Sequence, residues 1–268
     1  MLIQTLVTGL AIGGIYALMA VGYSLVFSIL NFSNFAYGSI IMLGAYVGYY
    51  LMMKAGLPLA ISVVGSILGA AFLCYLNERM AYSSLRKRNA ASLYFMISAM
   101  GTAIFLENLV YATIGSRFYA FPEMITQQNI TFLGASIGVL DVFAIVFSFA
   151  AIYTLHYFLQ HSRIGIAIRA ASYDMQVSQL NGVNITRLVG WVFLLAGALA
   201  GLSGMFLGMK YMVYPTMGWI TNKAYIAAVI GGLGSLPGAV VGGLILGVLE
   251  TLVSAYVSSV IRDVFSFS

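Results

Sequence analysis

Apolar residues run through this chain in blocks of membrane-spanning length, parted by a few polar clusters. The run before Lys54, the first charged residue, is interrupted only near residues 31–35. Asn31, Ser33 and Asn34 stand there in an otherwise apolar stretch, so one helical pass is predicted on either side. A bilayer core about 30 Å thick is crossed by roughly 20 apolar residues in a helix. Further spans of that length are predicted at 59–77, 92–114, 139–159 and 188–208, with a last long helix at 239–260. The apolar stretch 224–233 is too short to cross alone and leads into Gly231-Gly232-Leu233-Gly234-Ser235-Leu236-Pro237-Gly238. Residues 224–238 therefore read as a re-entrant or discontinuous element, tolerated where protein or water covers its backbone, or as a plain hairpin turn. The fold class expected is all-α, a polytopic transmembrane bundle of about seven to eight membrane segments forming one domain over residues 1–268.

Composition closes off the alternatives. Hydrophobic residues make up 62% of the 268 and charged residues 7%, against roughly 25% charged in a soluble domain. The apolar runs are continuous, whereas barrel strands alternate apolar and polar positions. Behind Met1 there is no basic segment of the signal-peptide kind, so the first apolar run is expected to stay as a membrane helix. With Cys74 the only cysteine, no internal disulfide and no cysteine-built metal site is expected.

The charges that remain orient the chain. Counting Lys and Arg, the loop 78–91 holds four, 161–187 three, and the polar stretch 115–138 only Arg117. Basic loops stay on the cytoplasmic side, so the first two are cytoplasmic and the third external. The net charge of +5 belongs to those loops. Without a basic stripe carrying interleaved aromatics, nucleic acid is not an expected partner.

The usual catalytic motifs are missing. No G-x-x-x-x-G-K-[ST] loop is present, so ATP use by that route needs a partner subunit. His156 and His161 are the only histidines and stand apart from any carboxylate cluster, so neither a metal nor another cofactor is expected. Glu107 and Glu250 fall inside predicted spans, where a carboxylate costs at least ~2.5 kcal/mol. They must face protein or water, either lining a route or coupling a proton, or making structural hydrogen bonds to neighbouring helices. No Lys or Arg is expected deep in the membrane beside them. Asn31, Asn34, Tyr37, Gly38 and Glu107 are candidates for a translocation path, with helix breaking as the other reading of the asparagines and Tyr37. Gly197, Gly201, Gly204 and Gly208, spaced four, three and four apart, form a stripe that lets helix backbones approach.

The second basic loop holds the most structured signal. Asp174 is placed to N-cap a short helix and Gly182 to end it in a left-handed conformation. A helix of about two turns is unstable alone in water, and Met175, Val177 and Leu180 would face the cytosol. It either docks into another protein or folds back on its own membrane domain.

At this point the chain resembles the membrane permease subunits of bacterial branched-chain amino acid ABC importers, in their shorter form. Arg163-Ile164-Gly165, Arg169-Ala170-Ala171, Asp174 and Gly182-Val183-Asn184 look like that family's coupling-helix motif. Asn34-Phe35-Ala36-Tyr37-Gly38 with Met42-Leu43-Gly44-Ala45-Tyr46 is similar to its first helix junction. Gly197-Ala198-Leu199-Ala200-Gly201-Leu202-Ser203-Gly204 and the glycines from Gly231 to Gly238 also fit. The resemblance implies a multi-pass protein of the bacterial inner membrane, paired with a second related permease, two cytoplasmic ATPases and an extracytoplasmic solute-binding protein. It makes Arg163, Gly165, Arg169, Ala170, Ala171, Asp174, Met175, Val177, Leu180, Gly182 and Asn184 the ATPase-coupling residues. The substrate expected is a branched-chain amino acid or a related small solute such as urea or an amide. Three departures stand out: Tyr37 where many relatives have histidine, Ser178 and Asn181 where the docking helix is more apolar, and an end at Ser268 about where relatives begin another hydrophobic segment. The rival readings are a stand-alone channel or secondary transporter, and a membrane enzyme or scaffold.

Overall fold

The computed structural model describes residues 2–122, 129–132 and 135–257. Among the described residues, six helices are long and apolar enough to cross a membrane. They are α1 (Leu2–Leu30), α3 (Leu59–Asn77, extended to Lys87), α5 (Ser92–Thr113), α6 (Val139–His161), α9 (Ile185–Tyr211) and α11 (Leu236–Tyr256). A shorter apolar helix, α2 (Tyr37–Met53), follows the break after α1. The helical bundle expected from the apolar pattern is present, joined by one antiparallel hairpin, β1 (Asn129–Phe132) with β2 (Ala135–Gly138).

Burial sorts the helices into two classes. The most apolar window is 89% buried in α1 and 83% buried in α9, but only 17–33% in α3, α5, α6 and α11. A helix apolar on every face belongs in a core or against lipid, and α1 and α9 form that core. α1 packs along α11, α9 and α6, and α9 packs along α3 and α2. Glycine sets the closeness of the first contact, since a Cβ on Gly247 would lie 2.3 Å from the Gly13 Cα and one on Gly243 2.5 Å from the Ala17 Cα.

The chain between α9 and α11 crosses in two pieces. A 3₁₀ segment, Pro215–Ile220, starts beside the bridge between Tyr119 and Val213, at the end of the bundle away from the basic loops. It meets the first turn of α2, where a Cβ on Gly38 would lie 2.4 Å from the Gly218 carbonyl oxygen. The ten-residue α10 (Thr221–Ile230) then continues toward the basic end. There Gly232 (φ +89°) and Gly234 (φ +87°) turn the chain into α11, with Gly234 beside Ser28 near the end of α1. The glycine segment is the hairpin turn between α10 and α11, while the discontinuity lies before it, where the half-length helix is completed by the 3₁₀ segment Pro215–Ile220.

One boundary needs correction. Residues 78–87, read as part of a loop, are helical: a π-helical turn, Glu78–Tyr82, leads into α4 (Ser83–Lys87). Glu78 is fully buried, with Arg86 Nη1 2.7 Å from its Oε1 and Arg79 Nε 3.7 Å from Oε2. Pairing lets the sequence keep helix through a charge-rich stretch that reads as loop. Glu123 and Gln127-Gln128, in the polar stretch, and residues 262–268 lie outside the described residues.

Candidate docking helix and interior seam

The basic end carries an arm built from two short helices. Its first helix, α7 (Arg163–Tyr173), starts at Ser162, whose Oγ accepts from the Gly165 N–H at 2.9 Å. Any side chain at 165 would collide with α6, because a Cβ there lies 2.5 Å from the Leu159 Cα. Gly165, Ile168 and Ala171 bury one face of α7 against the bundle. Arg163, Arg169 and Ala170 are on its exposed side.

Asp174 then serves both helices. Its N–H donates to the Ala170 carbonyl, closing α7, and its Oδ1 accepts from the Gln176 and Val177 N–H groups at 2.8 and 2.9 Å, opening α8 (Met175–Leu180). Gly182, at φ +85°, ends α8, and Asn184 caps α9 by accepting from the Arg187 N–H at 3.1 Å. Met175 is half-buried against the bundle, whereas Val177 is 52% and Leu180 87% exposed. Tyr173, just before the bend, is 92% exposed. Ser178 is buried and donates to the Asp174 carbonyl at 2.8 Å. The polar departure at 178 therefore lies on the inner side of α8 and leaves the outer apolar face intact. Asn181 is exposed and its Nδ2 donates to the Val177 carbonyl.

The candidate path residues separate into three places. Asn34, Tyr37 and Gly38 lie together in a closed interior seam. Asn34 Oδ1 accepts from the Tyr82 hydroxyl at 2.8 Å, and the Tyr37 hydroxyl donates to the Ala196 carbonyl at 3.1 Å. Tyr23 stacks edge-on against both Tyr37 and Tyr225. Asn31, left-handed at φ +49° and exposed, instead lines a cavity of 530 Å³ at the basic end. Glu107 is half-buried on α5, one turn beyond Ala103, whose carbonyl accepts from Ser39. It joins neither group.

The glycine stripe on α9 serves more than one neighbour. A Cβ on Gly197 would lie 2.5 Å from the Cys74 Cβ and one on Gly201 2.4 Å from the Ser66 carbonyl oxygen, so both face α3. Gly204 faces α2, 2.2 Å from the Ile41 carbonyl oxygen, and Gly208 meets Val213 and Phe121. Ser66 completes this junction: its buried Oγ lies 2.7 Å from the Gly44 and 2.9 Å from the Gly201 carbonyl oxygens. Nothing in the spacing of the chain marks that serine.

Two interior ion pairs were also hidden. Glu250, buried on α11, pairs with Lys223 of α10 and accepts from the Tyr16 hydroxyl of α1 at 2.7 Å. This overturns the expectation that no base lies deep beside it. Lys223 sits one residue before the apolar stretch drawn from 224, and so was not placed in the membrane. Asp141 pairs with Lys210 and accepts from the Thr8 hydroxyl at 3.2 Å, joining α6, α9 and α1. A cleft of 480 Å³ opens beside these pairs, with Thr8, Lys210, Glu250 and Ser254 in its lining, at the end opposite the arm.

Comparison with known proteins agrees with the resemblance. Residues 5–267 match the family model described as branched-chain amino acid transport system / permease component. The high-affinity branched-chain amino acid transport system permease protein LivH of Salmonella typhimurium is 38% identical over 99% of this chain and 90% of its own length. The corresponding protein BraD of Pseudomonas aeruginosa is 35% identical with the same coverage. A probable LivH of Methanocaldococcus jannaschii is 30% identical over 90% of this chain and 78% of its own. With a model matched over almost its whole length and relatives above 30% identity, this chain belongs to the permease-component family of branched-chain amino acid transport systems.

Proposed function

We propose that this chain is the translocation subunit of an ATP-binding-cassette importer for branched-chain amino acids or related small solutes, seated in a bacterial inner membrane. The whole chain acts as one permease domain. Its basic end faces the cytoplasm, where excess Lys and Arg are retained. A second, related permease completes the passage, two ATPases bind at the cytoplasmic end, and a solute-binding protein delivers substrate at the other. ATP is hydrolysed in the ATPases and this chain performs no chemistry of its own.

One observation carries the coupling. Val177 and Leu180 are exposed on a doubly capped helix at the basic end, outside the apolar spans. Exposed apolar groups on a helix too short to persist alone call for a partner surface. Movement of the ATPases would reach the bundle through α8, Asp174 and α7.

The test is uptake by the reconstituted complex. Leucine uptake into proteoliposomes should require ATP hydrolysis. Val177→Asp with Leu180→Asp should lose co-purification of the ATPases while leaving the thermal stability of the membrane chain unchanged. Uptake that persists without the ATPases, or by this chain alone down a gradient, would overturn the proposal in favour of a channel or secondary transporter.

A further inference from the structure

The 530 Å³ cavity at the basic end is amphipathic, carries Arg169, and lies apart from both the closed interior seam and α8. Its walls come from the end of α1, the last turns of α6, α7 and the turn into α11. Phe27, Leu159 and Ile168 supply an apolar side. Arg169, His156, Ser172 and Asn31 supply a polar one, and no acidic residue lines the cavity among the described residues. Arg169 makes one long hydrogen bond, Nη2 to the Gln160 carbonyl at 3.4 Å, and no carboxylate among the described residues pairs with it. Most of its fork of donors is thus available to a ligand.

We infer that this cavity binds the phosphate headgroup of an anionic phospholipid of the cytoplasmic leaflet, with Arg169 as the principal ligand. Charge selects a phosphate, because the Arg169 guanidinium reaches the cavity with no acidic side chain lining it. The apolar side selects a lipid over a free anion, since Phe27, Leu159 and Ile168 line the same cavity and can cover the first carbons of an acyl chain. The cavity also lies at the basic end, with His156 five residues inside the end of α6, where basic pockets take anionic headgroups. Such a lipid would tie α7 to the ends of α1 and α6. The inference uses the orientation proposed above, but it needs neither a particular substrate nor a particular ATPase.

Native mass spectrometry of the assembled complex released from nanodiscs tests it. With discs of phosphatidylcholine containing phosphatidylglycerol, the complex should keep phosphatidylglycerol in preference to phosphatidylcholine. Arg169→Gln removes the charged donor and should weaken that retention about tenfold. Ser172→Asp places an opposing charge at the mouth and should weaken it as well. Both positions are exposed, so folding is spared. Arg88→Gln, at the same end but outside the cavity, should have no effect on retention. Retention unchanged in both Arg169→Gln and Ser172→Asp would overturn the site. Displacement of the lipid from the wild-type complex by inorganic phosphate or ATP would overturn the assignment to lipid and leave a soluble phosphate as the ligand.

Discussion

Lys223 and Glu250 put opposite charges between α10, α11 and α1 in the interior of a largely apolar bundle. Removing one member of a buried pair leaves the other uncompensated, at about 3–5 kcal/mol, while replacing both with apolar groups is often nearly neutral. Lys223→Met and Glu250→Leu should each lower the thermal midpoint of the purified chain sharply, and the double variant should recover most of the loss. Additive losses would show that the two side chains act separately. Glycines on the helices are graded in the same manner. Gly201→Val drives a side chain into the Ser66 backbone and should abolish monodisperse protein on size-exclusion chromatography, whereas Gly101→Ala, with open space around it, should behave as wild type. Sequence spacing found Gly201 because a stripe is a repeated signal. It missed Lys223 and Ser66 because a lone residue is informative only once its neighbours across the bundle are known.

The arm shows what local chemistry specifies at the level of an element. Asp174 and Gly182 were legible as cap and terminator because capping depends on residues within a turn of each other. The α7 helix before them was read as loop: its single apolar face, Ile168 with Ala171, is set by contact with α6 and α1, a long-range fact. Asp174→Ala should remove about 1 kcal/mol from α8, reducing ATP-driven uptake roughly fivefold where docking needs the folded helix. Asp174→Ser keeps a capping oxygen and should retain most of the uptake. Equal uptake in wild type and Asp174→Ala would mean that docking does not draw on a preformed helix. The broken crossing at 215–230 was half legible for a related reason. Apolar content showed that α10 is too short, but only Gly218 against Gly38 shows where its other half lies.

For the whole molecule, the long apolar helices follow from apolar length, apart from the extension through 78–87 and the broken crossing at 215–230, and the distribution of Lys and Arg orients them in the proposed function. Which helices form the core does not: α1 and α6 are both long and apolar, yet one is central and the other peripheral. Orientation gives a direct check. Cysteine introduced at Gln4, exposed at the end opposite the arm, should react with a membrane-impermeant maleimide from outside intact cells. Cysteine at Tyr173 should react only after permeabilisation. Cys74 is buried and should contribute no background.

Asp174 closes one helix with its backbone and opens the next with its side chain, so there is no slack residue between the docking surface and the arm. The arm in turn lies against α6 and α1, and α1 is gripped on nearly every side. A stroke applied at Leu180, as the proposed function requires, would pass through Asp174 to α7 and from there to α6 and α1. It travels as through a crank, and the central helix cannot yield to it without carrying α9 and α11 along. On the function proposed above, an engine attached at this corner would turn the subunit as one body.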